Sequence, residues 1–133
     1  MTPTATFPFV HWATYEATLI DAYLKRYGDD TGRAARVQKN LLNLLPITEA
    51  SIVLPLPSYS LKVIEKYIGF QRTQDEYGGN WSMAQYIEAT ETSDAARREE
   101  LMSTIRTYNR EDLEATWAVL QWLLKKRIFV SEI

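Results

Sequence analysis

The spacing of apolar and polar positions divides the chain into short helices with few strands between them. Helical spacing runs over about 15–27, 32–45, 61–68, 83–89, 94–106 and 107–125, between Ser, Thr or Asp at the starts and Gly or Pro at several ends. The run at 7–12 is apolar, β-prone and interrupted by Pro8, as an edge strand or strand entry would be. The pattern predicts a helix-dominated α/β domain with about six helices and only two or three short strands.

The predicted strand at 7–12 has few partners within the chain. A lone strand leaves backbone groups unpaired, so we expect this edge to seek a partner and to support a homodimer. The segment at 51–57 contains two prolines, which forbid a helix interior, and is the main candidate for a further extended stretch. Residues 1–6 are small, polar or proline-bearing and are expected to form a disordered tail before a domain over 7–133.

The helix at 107–125 carries the clearest chemical pattern, Tyr108-x-x-x-Asp112. Residues four apart share a helix face, so a phenol and a carboxylate would project together and could serve a metal ion and its water. The same residues also fit a helix start, with Asn109 as N-cap in an approximate capping box. Further along, Trp117 is expected in the core because of its spacing with neighbouring leucines.

Glu16 is the second candidate. It lies one turn into a helix that follows the predicted strand, and ligands of α/β sheets often bind at such junctions. The alternative is an acid that is favoured by the helix dipole.

Composition removes several classes of function. The chain has no cysteine and one histidine, which excludes thiol catalysis and cysteine–zinc sites and argues against a histidine-rich metal site. The net charge of −2 gives no global case for nucleic-acid binding, although Lys62 and Arg72 could belong to a local basic groove. No apolar run approaches the roughly 20 residues of a membrane span, and no secretory signal is evident. A soluble cytoplasmic protein is expected.

Three stretches of the chain resemble motifs of one nuclease superfamily. HWATYEATLI is similar to the second motif of the DnaQ-like 3′–5′ exonucleases, with Glu16 in place of the metal-binding Asp. Tyr108-x-x-x-Asp112 resembles the third motif in its tyrosine form. Residues 55–70, PLPSYSLKVIEKYIGF, resemble a signature of the ribonuclease H-like domain at the C-terminus of predicted RecB-family nucleases. The resemblance covers about 9–124.

This resemblance implies hydrolysis of phosphodiester bonds in DNA or RNA by two Mg²⁺ or Mn²⁺ ions. By analogy, Asp112 and Glu16 would bind metal and Tyr108 would position the attacking water. Lys62 and Arg72 would contact phosphates, with a solvated surface position as the alternative for each.

The first motif of these enzymes, Asp-x-Glu on a strand, is absent, since the first carboxylate of the chain is Glu16. Asn40 also lies in a segment where the family tends to carry an Asp. Two hypotheses follow. Either the chain is the C-terminal portion of a longer metal-dependent nuclease and is inactive alone, or it is a degenerate helical domain that binds a partner or nucleic acid.

Overall fold

Six helices and two short strands make up the part of the chain that the computed structural model describes, residues 7–74 and 78–126. The predicted tail at 1–6 lies outside these residues. The elements, in chain order, are β1 (Phe9–His11), α1 (Tyr15–Tyr27), α2 (Arg33–Lys39), β2 (Leu41–Asn43), α3 (Leu44–Ser51), α4 (Leu61–Tyr67), α5 (Gly79–Glu91) and α6 (Ala95–Lys125). The prediction of a helix-dominated α/β domain is confirmed.

The two strands are parallel, with Phe9 opposite Leu41 and His11 opposite Asn43, and α1 and α2 connect them. The predicted helix at 32–45 is therefore wrong in its second half, because the run after Asn40 pairs with β1 instead of extending α2. The described residues give β1 a partner within its own chain, and the predicted homodimer gains no support from them.

Pro46 does not end a helix, as the sequence suggested, but lies in the first turn of α3. A proline is tolerated there because the amide N–H groups of a first helical turn have no partner within the helix. The side chain of Asn43 caps this helix by accepting a hydrogen bond from the Leu45 amide at 3.1 Å. One residue thus ends β2 and starts α3.

The C-terminal helix is a single element of 31 residues, so the boundary expected near 106 is wrong. Asp94 caps it, because its carboxylate accepts from the amides of Ala96 and Arg97. No Gly or Pro interrupts 95–125, and nothing else breaks the helix. Asn109 is consequently an interior residue, and the predicted capping box does not form.

The core lies between the C-terminal half of α6 and the elements β1, α3 and α4. Its buried members are all apolar and pack in one cluster: Trp12, Leu44, Leu54, Ile64, Val119, Leu120 and Leu123. The indole N–H of Trp12 donates to the carbonyl of Tyr59 at 3.0 Å, and the Tyr59 hydroxyl accepts from the Leu54 amide at 2.6 Å. These bonds fix the irregular segment 52–60 against the core.

Trp117 is not in this core, since its side chain is 61% exposed. Two faces of α6 carry apolar residues at helical spacing, and the face that contains Ala115, Val119 and Leu123 packs inward. Leu113 and Trp117 lie on the solvent side. Among the described residues, no helix has both the length and the apolar character that crossing a membrane requires.

Candidate active site

The carboxylate of Asp112 is held by a buried arginine. Arg72 donates from Nη2 to Asp112 Oδ1 at 2.5 Å, and from Nε and Nη2 to the two carboxylate oxygens of Glu65, each at 2.8 Å. The Arg72 and Glu65 side chains are 2% and 1% exposed, whereas that of Asp112 is 38% exposed. Asp112 therefore joins a buried ion pair to the surface of the molecule.

The end of α4 positions this pair. Gly69, with a φ of 90°, follows the last helical residues, and the amide of Phe70 donates back to the carbonyl of Glu65 at 2.9 Å. The Gly69 amide donates to the Lys66 carbonyl at 3.1 Å. These two bonds form a Schellman motif, which turns the chain sharply after the helix. The turn brings Arg72 back alongside Glu65.

Burial alone would lower the pKa of the Arg72 guanidinium, but its hydrogen bonds to Glu65 and Asp112 outweigh this effect and raise the pKa. Arg72 is thus a permanent cation within a carboxylate cluster. The solvated surface position considered for this residue is wrong, because its side chain is buried. A contact with phosphate stays a prediction.

A third acid, Glu111, binds the residue after Arg72. The backbone amide and the hydroxyl of Thr73 donate to Glu111 Oε1 at 2.9 and 2.5 Å. Burial would raise the pKa of the Glu111 carboxyl, but the two bonds from Thr73 prevail and the pKa is lowered. Segment 72–73 is therefore tied to α6 by two neighbouring carboxylates, those of Glu111 and Asp112.

Tyr108 lies one turn before Asp112 on α6 and is buried. Its ring centre is 5.6 Å from the guanidinium carbon of Arg72, and Trp81 of α5 packs edge-on at 6.0 Å. Burial raises the pKa of the Tyr108 hydroxyl, and the negative charge of Asp112 adds to this effect. The hydroxyl is thus protonated at neutral pH and available as a hydrogen-bond donor.

The contacts of Glu16 differ from those of the Arg72 cluster. Its carboxylate is 3.4 Å from Nδ1 of the buried His11, and its side chain is half-exposed at the start of α1. The turn before α1 places Ala13 at a φ of 64°, and the Ala13 amide donates to Asn43 Oδ1 at 2.9 Å. A left-handed alanine costs roughly 1–2 kcal/mol, which this hydrogen bond helps to offset.

The end of the Lys62 side chain lies against the backbone of Gly78, the residue before α5. A Cβ atom added to Gly78 would lie 2.6 Å from the Lys62 ammonium nitrogen, so the side chain rests directly on this backbone. The lysine is half-buried. Its predicted contact with phosphate stays a prediction.

The described residues do not by themselves complete a two-metal centre. Among them, no group of three or more His, Cys, Asp or Glu side chains could hold a metal ion. Both oxygens of Glu65 and one of Asp112 accept hydrogen bonds from Arg72, so the guanidinium uses positions that a metal would need. The Arg72 guanidinium supplies one positive charge to these carboxylates.

A family model of the RNase H superfamily matches residues 2–124 of the chain. The chain belongs to the RNase H superfamily. Searches of curated proteins and of solved structures gave no match. Membership confirms the ribonuclease H-like part of the sequence resemblance and a nuclease-like fold, whereas the DnaQ-like and RecB-family details stay predictions.

Sequence reasoning missed Glu65 and Glu111, although the sequence contains a signal for each. Glu65 falls at a core position of α4, since Leu61, Ile64 and Ile68 share its helical spacing. Glu111 similarly shares the buried face of α6 with Tyr108 and Ala115. An acid at an apolar position indicates a buried partner, and Arg72 and Thr73 are those partners.

Proposed function

We propose that this chain contributes part of the active site of a metal-dependent nuclease, with Asp112 as one of the metal-binding carboxylates. The observation that carries the proposal is the geometry of Asp112 in a chain of the RNase H superfamily. One of its oxygens is fixed by a buried arginine, while the side chain keeps 38% exposure. Such a carboxylate is suited to bind a metal ion, because the hydrogen bond from Arg72 already fixes its rotamer while the rest of the group stays accessible.

In this proposal Tyr108 acts as a donor that orients water beside Asp112, and Glu16 supplies a second carboxylate from α1. Two carboxylates are too few for a pair of Mg²⁺ or Mn²⁺ ions, so the remaining ligands are proposed to come from outside the described residues. The chain alone is then expected to be inactive. The substrate is DNA or RNA, hydrolysed from its 3′ end.

The test compares the chain with a longer protein that also includes the residues encoded upstream of it. Each is incubated with 5′-labelled single-stranded DNA or RNA and with Mg²⁺ or Mn²⁺. We expect shortening from the 3′ end by the longer protein only. In that protein Asp112→Asn should lower the rate at least 100-fold, and Tyr108→Phe about tenfold or more, as expected for lost metal binding and lost water positioning.

Glu114→Gln is the matched control, since Glu114 is an exposed acid on the same helix that pairs with Arg110. It should leave the rate unchanged. Thermal unfolding of each variant shows whether a loss of rate is a loss of structure. Full activity of Asp112→Asn would refute the assignment of this residue.

A second candidate function is a non-catalytic domain that binds nucleic acid or a protein. The observation in its favour is Arg72, whose guanidinium already occupies both carboxylate oxygens of Glu65 and one of Asp112. Calorimetric titration with Mn²⁺ separates the two candidates. A longer protein that neither binds the ion nor hydrolyses either substrate would favour the non-catalytic function.

A further inference from the structure

The outer face of α1 presents a row of large side chains to solvent. The row consists of Tyr15, Leu19, Tyr23 and Tyr27, four residues apart, and each side chain is between 50% and 69% exposed. Helix α1 has no buried residue. At 1.5 Å per residue the row is about 18 Å long. A continuous exposed row of this size calls for a binding partner.

Two tyrosine rings of the row contact each other, and an arginine lies over one of them. The ring centres of Tyr23 and Tyr27 are 5.2 Å apart with a tilt of 44°, and the Arg26 guanidinium carbon is 5.3 Å from the Tyr27 ring centre. Nucleobases stack on exposed tyrosine rings without regard to sequence, and arginine adds to such sites. The chemistry of the row therefore fits the bases of a single strand.

Helix α2, which packs against α1, supplies the complementary charge. Arg33, Arg36 and Lys39 recur every three residues, and all are exposed. Within the residues that the structure describes, none of the three forms an ion pair. Cations that are not matched by acids of the protein can bind the phosphates of a nucleic acid.

Acids of this helical pair do not cancel that charge. Residues 15–39 contain five Lys or Arg and four Asp or Glu. Asp21 is bound by Lys25 at 2.8 Å, Asp29 accepts from two amides at the start of α2, and Glu16 lies beside His11. Only Asp30 is left without a partner among the described contacts, and the five cations against four acids leave a formal charge of +1 on residues 15–39.

We propose that the tyrosine row of α1 and the cations of α2 form a binding surface for single-stranded nucleic acid. Bases stack on Tyr23 and Tyr27, and phosphates lie against Arg33 and Arg36. The row begins next to Glu16, so a bound strand reaches the end of α1 where that carboxylate lies. The choice of nucleic acid as the occupant rests on the proposed function, whereas the surface itself is defined by the exposed rings and cations.

The test is fluorescence anisotropy of labelled oligo(dT) and oligo(U) with the whole chain and with EDTA present, so that hydrolysis does not contribute. Tyr23→Ala/Tyr27→Ala should weaken binding at least tenfold. Arg33→Glu/Arg36→Glu should also weaken it and make the dissociation constant less dependent on salt, because phosphate contacts are lost. Tyr86→Ala is the matched control, an exposed tyrosine on α5 whose loss should leave binding unchanged.

The variants replace exposed side chains, and an unchanged melting temperature would show that each still folds. The inference would be overturned if Tyr23→Ala/Tyr27→Ala bound the oligonucleotides as tightly as the wild type does. The absence of binding by the wild type would also overturn it and leave the row to a protein partner. Failure of the nuclease proposal would appear differently, as binding to this surface without hydrolysis by the longer protein.

Discussion

Replacing Arg72 by methionine tests the buried ion pair most directly. The substitution keeps an unbranched apolar side chain about as long as the arginine stem but removes the three hydrogen bonds to Glu65 and Asp112. Glu65, which is 1% exposed, would keep its charge without a partner. Removing one member of a buried pair costs about 3–5 kcal/mol, because the remaining charge is neither solvated nor neutralised.

Asp112 contributes little to this cost. Its side chain is 38% exposed, so water can replace the lost hydrogen bond, and such partly exposed pairs are worth about 1 kcal/mol or less. We therefore expect the free energy of unfolding to fall by about 3–5 kcal/mol, nearly all of it from Glu65. A domain of this size is typically stable by only about 5–15 kcal/mol, so the change is large.

The assay is urea unfolding followed by tryptophan fluorescence. Combining Arg72→Met with Glu65→Leu replaces the pair by apolar groups and should recover most of the lost stability, since such replacements are often neutral. Arg110→Met is the control, because its contact with Glu114 at 3.6 Å is exposed; it should cost less than about 0.5 kcal/mol. A loss below about 1 kcal/mol for Arg72→Met, or a double variant no more stable than the single one, would refute this account.

Three further substitutions test other parts of the structure. Thr73→Val should cost about 1 kcal/mol at pH 7 by removing a hydrogen bond to Glu111. Because folding lowers the pKa of Glu111, the stabilisation is present above its ordinary pKa of 4.5 and is lost as the pH falls through the lower folded value. The difference in unfolding midpoint should therefore shrink below pH 4.5, and an equal difference at pH 7 and pH 3 would contradict this. Leu123→Ala should cost about 2–5 kcal/mol by opening a cavity in the core, whereas Trp117→Ser should change stability by less than about 0.5 kcal/mol; equal urea midpoints would show that the buried face of α6 is assigned incorrectly.

Local sequence signals determined several elements of the fold. Apolar spacing and Gly28 predicted α1, which ends at Tyr27, and Gly69 predicted the end of α4. Helical spacing, N-caps and C-terminal glycines act within a few residues, so the sequence alone is sufficient to find them. The same spacing placed Tyr108 and Asp112 one turn apart, and both contact Arg72 in the structure.

Tertiary contacts decided the rest. Leu41–Asn43 is a strand because β1, about 30 residues earlier, offers a parallel edge, and no local pattern records that pairing. Helix α6 has apolar residues on two faces, and only its packing against the rest of the chain shows that Trp117 is exposed. The partners of Arg72 come from α4 and α6, so its burial depends on residues 7 and 40 positions away. Periodicity identifies a helix, but the face it buries and the charges it neutralises depend on long-range contacts.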